Sequence, residues 1–245
     1  MLRRRPLATL LLLALSLLAA SSATNARVPA AYKITGVPRI KQMTNYCGPA
    51  ALTSVLQFHG KGITQEVVGR AVYDPIGSST NGADMLFFSR EQGFAAYSWN
   101  SSISDAKLKI ADGLPVVVLQ QNSKTDTSGH YRVLTGYDDA AEKFYVVDPY
   151  YDAITELSYS DCERLWKRMG HWALLVAPTA KDTFQTELGE RNAVVHLDLS
   201  YANFKRKDYA VALKEAQLAL AVEPGNTYAV SMLNKARAAA GAGAK

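Results

Sequence analysis

Residues 42–50, Gln-Met-Thr-Asn-Tyr-Cys-Gly-Pro-Ala, predict a helix that begins at a cysteine. Pro49 suits a first helical turn, and apolar residues follow at helical spacing as far as the stop signal at Gly60. A cysteine at a helix N-terminus lies at the positive end of the helix dipole, which favours the nucleophilic thiolate. Gln42 could place a side-chain amide beside the same sulfur, as an oxyanion hole requires. The stretch therefore predicts Cys47 as a nucleophile and Gln42 as an oxyanion donor.

A nucleophilic cysteine needs a base, and the chain offers four histidines. His59 falls too far down the same helix, His196 lies in the alanine-rich C-terminal region, and His171 begins an apolar run. His130 follows a polar loop and begins the β-rich run HYRVLTGYD, which would hold the imidazole while leaving it accessible. We therefore predict His130 as the general base and acid.

Asp148 is the candidate that would orient this imidazole. A hairpin centred near position 140.5 pairs residue 133 with 148, which leaves Asp148 about three residues, roughly 10 Å, from His130 and on the opposite face. The two side chains can meet only through a bulge or a shifted register. The alternative is that Asp148-Pro149 serves only as a strand-ending turn.

Short helices precede β-rich runs between residues 34 and 178, which predicts an α+β fold with an antiparallel sheet. After the helix at Cys47, helices are expected over 64–72, 83–91, 161–168 and from an N-cap at Ser104 to Gly113, and strands over 116–119, 131–137, 144–147 and 172–176.

Three motifs, in this order, are similar to those of the bacteriocin-processing (family thirty-nine) cysteine peptidases: Gln42…Cys47-Gly-Pro-Ala, His130-Tyr-Arg-Val-Leu-Thr-Gly-Tyr and Val146-Val-Asp148-Pro. The resemblance spans about residues 38 to 178 and implies a papain-like fold that hydrolyses peptide bonds. It implies Cys47 as nucleophile, His130 as general base and acid, Asp148 as orienting residue and Gln42 as oxyanion donor. Its substrate would be a peptide or protein.

The same resemblance has limits. The best-known family members are domains of peptide-exporting ABC transporters that face the cytosol and cut after a double-glycine leader. This chain carries Tyr46 where those members often have an acidic residue, and it has an export pattern and a repeat-like tail. It more closely resembles stand-alone exported members, so the double-glycine substrate does not transfer.

Residues 1–26 have the pattern of a secretory signal peptide: three arginines, an apolar run over 7–20 and a small-residue exit at 21–26. Fourteen residues rise about 21 Å as a helix, less than the roughly 30 Å hydrocarbon core, which disfavours the alternative of an uncleaved anchor. Removing the three arginines lowers the formal charge from +5 to +2, so charge gives no argument for a nucleic-acid partner. We expect an exported bacterial protein, periplasmic or secreted, with no integral membrane span after cleavage.

The region 183–240 is alanine-rich and predicts helices alone. The stretch LSYANFKRKDYAVALKEAQLALAVEPGN over 199–226 resembles one tetratricopeptide repeat, although Ser200 and Asn203 replace its usual glycine and aromatic residue. One repeat cannot bury its own apolar face, so it should dock on the first domain or bind a protein partner. A generic alanine-rich helical hairpin is the alternative. Residues 228–239 predict a closing helix and 241–245 a flexible tail.

The sequence also allows other interpretations of the two cysteines and of the function. Cys47 could form a structural disulfide with Cys162, although we expect Cys162 to be a buried helical thiol near Trp166. Neither Cys-x-x-Cys nor His-Glu-x-x-His occurs, and no glycine-rich phosphate loop is present, so we expect no metal and no cofactor. The alternative functions are a non-catalytic peptide-binding or adaptor module and a papain-like amidase or transamidase.

Overall fold

The structure, a computed structural model, describes residues 28–242. The predicted signal peptide over residues 1–26 lies outside this range. The strands are β1 (Ala31–Lys33), β2 (Tyr73–Asp74), β3 (Ser79–Thr80), β4 (Phe94–Asn100), β5 (Val116–Gln121), β6 (Gly129–Asp138), β7 (Lys143–Val147), β8 (Ile154–Ser158) and β9 (Trp172–Pro178). The helices are α1 (Cys47–Phe58), α2 (Gln65–Val72), α3 (Gly82–Glu91), α4 (Ile103–Ala111), α5 (Tyr159–Lys167), α6 (Ala193–Lys205), α7 (Tyr209–Val222) and α8 (Thr227–Ala242).

The main sheet is antiparallel and has seven strands in the order β4-β9-β5-β6-β7-β8, with β1 added beside β6. Strand β6 is the centre of this arrangement, since its first half pairs with β5 and its second half with both β1 and β7. The expected mixture of helices and antiparallel sheet is therefore confirmed. The four expected strands are present as β5, β6, β7 and β9, each extended by one or more residues.

Three strands of the main sheet and one helix cap differ from expectation. Strand β1, beside β6, and strands β4 and β8, at the two ends of the sheet, are not predicted from the sequence. Helix α4 begins after Ser102, not Ser104, because the Ser102 hydroxyl accepts a 3.1 Å hydrogen bond from the backbone N–H of Asp105. This places the cap where an N-cap serine satisfies an otherwise unpaired N–H of the first turn.

Helix α1 is the central helix of the peptidase-like region. All of its residues from Gly48 to Leu56 are buried, and it packs against α2, α3 and β6. Its apolar residues join those of the sheet in one continuous core. Because α1 and β6 are in contact, the start of the helix is held beside the start of the strand that carries His130.

The C-terminal region 193–242 forms three helices, α6 to α8, that pack on one another in sequence. Helix α6 also packs on α3 and β4. Buried Asp84 on α3 forms ion pairs with Lys205 (2.6 Å) and Arg206 (3.0 Å). The Arg206 guanidinium also lies 3.9 Å from the centre of the Phe87 ring.

Helix α8 continues to Ala242, two residues into the segment that was expected to be a flexible tail. Alanine is the strongest helix former, and the alanine-rich end of α8 extends the helix past the glycine at 241. None of the helices within residues 28–242 is both long and apolar enough to cross a bilayer.

Candidate active site

Cys47 is the first residue of α1 and is half-buried in a cavity of about 390 Å³. Burial alone would raise the pKa of this thiol. Hydrogen bonds from His130 and from the backbone N–H groups of Tyr131 and Gly48, together with the charge of His130, lower that pKa below its ordinary value. The site therefore favours the thiolate, as the start of a helix also does.

Gly48 allows the hairpin β2–β3 to approach the sulfur. A Cβ atom at this position would lie 2.6 Å from Cγ2 of Thr80, well inside the contact distance of two carbons. Any other residue after Cys47 would therefore push Thr80 away from the start of α1. The same hairpin supplies Gly77, Ser78 and Ser79 to the wall of the cavity.

His130 lies between the thiol and a carboxylate. Its Nε2 is 2.8 Å from Oδ1 of Asp148, and its other nitrogen, Nδ1, is left for the hydrogen bond with Cys47. Burial would lower the pKa of His130, but the hydrogen bonds to Asp148 and Cys47 and the charge of Asp148 raise it. The exposed ring of Tyr150 stacks on the imidazole at 4.5 Å between centroids.

The register between β6 and β7 explains how Asp148 reaches this histidine. Near the turn, Tyr137 pairs with Phe144, as a hairpin centred at 140.5 requires. The register then shifts between Leu134 and Gly136, so that Val133 pairs with residue 147 instead of 148. Extending the shifted register places residue 148 opposite residue 132. Residue 132 is two positions from 130, so the side chains of 148 and 130 lie on the same face of the sheet. A shifted register of this kind is what the sequence predicts to be necessary for contact between Asp148 and His130.

Asp148 is held ionised by two partners and one backbone group. Burial would raise the pKa of its carboxyl, but hydrogen bonding to His130, the charges of His130 and Arg132, and the N–H of Tyr150 lower it to about 2. Oδ2 accepts a 2.8 Å hydrogen bond from Nε of Arg132, and Oδ1 also accepts from the Tyr150 N–H at 3.0 Å. The carboxylate is thus fixed in position at neutral pH.

Arg132 was not singled out from the sequence, although it contacts Asp148 directly. Its guanidinium also donates to the carbonyl of Asn122 at 2.8 Å and to Oε1 of Gln120 at 3.3 Å. The available signal was an arginine directly before Val133 and Leu134 in a β-rich run, because a buried charge in such a position requires a partner.

Gln42, which the sequence predicts as the oxyanion donor, lines the same cavity as Cys47. Its backbone N–H donates to the carbonyl of Pro149 at 2.9 Å, which ties the segment before α1 to the residue after Asp148. Its Oε1 and the Oγ1 of Thr80 are buried and have no hydrogen-bond partner among residues 28–242.

The other histidines each have partners of their own. Nε2 of His59 is 2.8 Å from the carbonyl of Val176, and His171 and His196 pair with Glu163 (2.9 Å) and Glu215 (2.7 Å). None of these three lines the Cys47 cavity. His130 is the histidine that the structure brings to the thiol.

Cys162 lies inside α5 and is a free, fully buried thiol; the alternative of a disulfide with Cys47 is therefore wrong for this structure. Burial raises its pKa to about 12, although Nε2 of Gln120 donates to its sulfur at 3.2 Å. Within residues 28–242 no three His, Cys, Asp or Glu side chains come together as a metal-binding group.

Comparison with known proteins identifies a family. A family model described as "Peptidase_C39 like family" matches residues 34–174, which include the whole cavity around Cys47 and end before α6. No curated protein matches the chain.

One solved structure with a TM-score above 0.5 shows the same fold, and two others are similar to the chain at lower scores. A C39-like peptidase from Bacillus anthracis aligns with a TM-score of 0.51 and 17% identity over 60% of this chain and 97% of its own. Xylellain, a cysteine protease from Xylella fastidiosa, aligns with a TM-score of 0.45 and 16% identity over 63% of this chain and 88% of its own. A double-glycine motif protease from an AMS/PCAT transporter, solved with the leader peptide, aligns with a TM-score of 0.48 and 21% identity over 60% of this chain and 95% of its own.

Proposed function

The chain belongs to the C39-like peptidase family, a family of cysteine peptidases, and we propose that it hydrolyses peptide bonds with Cys47, His130 and Asp148. The proposal rests chiefly on the arrangement of three groups. Cys47 at the start of α1 and His130 line the same cavity, and Nε2 of His130 lies 2.8 Å from Oδ1 of Asp148, a carboxylate that is ionised at neutral pH. Gln42 is proposed as the oxyanion donor.

In the proposed reaction the Cys47 thiolate attacks the peptide carbonyl carbon and forms a carbon–sulfur bond. The backbone N–H of Cys47 and the amide of Gln42 stabilise the negative oxygen that results. The carbon–nitrogen bond then breaks, and the departing amine takes the proton from Nδ1 of His130. A thioester remains on the enzyme.

Water completes the proposed cycle. Neutral His130 takes a proton from a water molecule, whose oxygen attacks the thioester carbon. The carbon–sulfur bond breaks, the new carboxyl terminus leaves, and the thiolate and imidazolium are restored. Asp148 accepts the hydrogen bond from Nε2 of His130 throughout the cycle, which keeps Nδ1 directed at the sulfur. Arg132 acts as a positioning residue, because it holds Asp148 without touching the thiol.

We also propose that the protein works outside the cytoplasm, either in the periplasm or secreted. The support is the pattern of residues 1–26, which has a basic start, an apolar run and a small-residue exit. For the helices α6 to α8 we propose a tetratricopeptide-type unit that aids the docking of a substrate or protein partner. Its support is the spacing of alanines and of Pro224 in the sequence.

The test of the reaction is peptide cleavage by the purified chain that lacks residues 1–26. A mixture of unrelated peptides is incubated with the wild type and with Cys47→Ala, and products are identified by mass spectrometry. Hydrolysis gives two new termini in the wild type alone. Cleavage by Cys47→Ala at the same rate would contradict the mechanism, and loss of ammonia or transfer to an amine without cleavage would indicate amidase or transamidase chemistry instead.

A further inference from the structure

A second cavity, of about 260 Å³, adjoins the one that contains Cys47. Thr80, Leu119 and Tyr131 line both cavities. Tyr131 also directly follows His130, and its hydroxyl donates to the Thr80 carbonyl at 3.1 Å. A substrate side chain next to the reacting peptide bond would therefore find this second cavity within reach.

Aromatic and aliphatic side chains line part of the second cavity, beside the polar Thr80 and Asn81. The rings of Tyr131 and Trp172 meet edge to face at 5.8 Å, and Leu119 and Met169 add aliphatic surface. Gly82 makes room for the indole, because a Cβ atom there would lie 2.3 Å from Cζ2 of Trp172. This surface suits the methylene groups of a long side chain.

Asp198 places a carboxylate in the same cavity, and it comes from α6 of the C-terminal helices. Its Oδ2 accepts a 2.9 Å hydrogen bond from Nε1 of Trp172. This donor is neutral, so it does not cancel a negative charge. Burial raises the pKa of Asp198, as expected for a carboxylate that lacks a cationic partner.

The contrast with Asp84 shows what Asp198 lacks. Asp84, at the same contact between α3 and α6, is paired with both Lys205 and Arg206. No lysine, arginine or histidine nitrogen from the part of the chain that the structure describes lies within 4.0 Å of the Asp198 carboxylate. The cavity thus combines an apolar, aromatic wall with one uncompensated carboxylate.

We propose that this cavity binds a lysine or arginine side chain of the peptide substrate, next to the bond that is cut, and that Asp198 determines this specificity. The inference rests on the proposed function, and it gives the C-terminal helices a defined part in substrate recognition. The aliphatic stem packs on Leu119 and Met169, and the cation lies beside the Trp172 ring and pairs with Asp198.

The test compares peptides that contain arginine with the same peptides containing citrulline, which has nearly the same shape but no charge. Each position on either side of the bond is scanned in turn, and kcat/KM is measured with the wild type, Asp198→Asn and Glu190→Gln. Glu190 is a matched control, because it is an exposed carboxylate that does not line the cavity. The arginine-to-citrulline ratio within one enzyme does not depend on how much of that enzyme is folded.

At one position the wild type should prefer arginine by about 10- to 100-fold, as a charged hydrogen bond allows. The preference should fall to within about two-fold in Asp198→Asn and persist in Glu190→Gln. Cleavage without any arginine preference, or a preference that survives in Asp198→Asn, would overturn the inference while leaving the peptidase intact.

A binding measurement tests the cavity assignment independently of peptide hydrolysis. The same labelled peptides are titrated into Cys47→Ala and into the double variant with Asp198→Asn, with fluorescence polarisation as the readout. Tighter binding of the arginine peptide that is lost in the double variant supports the cavity assignment even if the wild type cleaves nothing. Equal binding of both peptides to Cys47→Ala would contradict it.

Discussion

Two free cysteines on two helices have opposite chemistry in this protein. Cys47 begins α1, is half-buried, and has a pKa below its ordinary value because His130 and backbone N–H groups bond to its sulfur. Cys162 lies inside α5, is fully buried, and has a pKa of about 12 because the effect of burial outweighs the Gln120 amide donor and the charge of Arg132. The position of each thiol on its helix and the charge of its neighbours decide which one can react.

The two thiols are nevertheless linked by neighbouring side chains. Gln120 bonds to Cys162 and to Arg132, and Arg132 bonds to Asp148, which bonds to His130. Within this series of hydrogen bonds, the charged side chains lie at the end near Cys47, and the neutral amide of Gln120 lies at the end near Cys162. The comparison therefore attributes reactivity to the imidazole and its carboxylate and not to the cysteine residue type.

The largest difference between the two thiols should appear when each sulfur is removed in turn. We expect Cys47→Ala to lower kcat/KM by about 10³-fold or more, because the nucleophile is lost. Cys162→Ala should stay within about two-fold of the wild type, since this sulfur touches no proposed catalytic group. Peptide cleavage assays measure both, and equal losses in the two variants would contradict the assignment.

Removing the imidazole should make Cys47 resemble Cys162 in reactivity. His130→Ala should lower kcat about 10²- to 10⁴-fold, the usual contribution of general acid–base catalysis. The thiol should also label more slowly with iodoacetamide at neutral pH, because its main hydrogen-bond donor is gone. His171→Asn is the control, since His171 has a left-handed backbone (φ 56°) that asparagine tolerates. A similar loss in that control would count against a specific role.

Arg132 should affect the pH dependence of activity at Cys47. Activity needs Cys47 deprotonated and His130 protonated, so the alkaline limb of kcat/KM follows the raised pKa of His130. Arg132 lowers that pKa, so Arg132→Met should move the alkaline limb to higher pH and reduce kcat about 10-fold.

Arg132→Lys is the matched control for this effect. It keeps the positive charge but loses the hydrogen-bonding geometry of the guanidinium. Its kcat should fall while the alkaline limb stays close to that of the wild type. An unshifted limb in Arg132→Met would show that the guanidinium does not act on the histidine.

The smallest expected effect is on stability. Cys162 is fully buried and Cys47 only half-buried, so Cys162→Ala should lower the free energy of unfolding by about 1 kcal/mol and Cys47→Ala by less. Urea unfolding followed by tryptophan fluorescence measures both. A larger loss at Cys47 would mean that this thiol contributes more to packing than to chemistry.

Part of the candidate site could be predicted from residue types and order. A cysteine before Gly-Pro, a histidine that starts a strand and an aspartate that ends the next one define three positions without any coordinates. The bulge between Leu134 and Gly136 could be required but not located, because many positions in the hairpin would restore contact. The pairing of Arg132 with Asp148 depended on that shifted register and could not be foreseen without it.

The fold was predictable where strands are central and rich in Val, Tyr and Leu, as in β5, β6, β7 and β9. Strands β4 and β8 were missed because each lies at an end of the sheet and pairs with a single neighbour. β4 contains two alanines, and β8 has a largely exposed face, so neither has a strong strand pattern. The position of Asp198 in the second cavity depends on how α6 packs on the sheet, which the spacing of residues in the sequence does not define.

Whether Cys47 is an activated nucleophile is tested by the rate of iodoacetamide alkylation as a function of pH, measured on the Cys162→Ala variant so that only Cys47 can react. We expect the rate to titrate with an apparent thiol pKa below the ordinary value of about 8.5, because His130 and the backbone donors stabilise the thiolate. The same titration in the double variant with His130→Ala should return toward that value. An apparent pKa at or above about 8.5 in Cys162→Ala would contradict the assignment of Cys47 as an activated nucleophile.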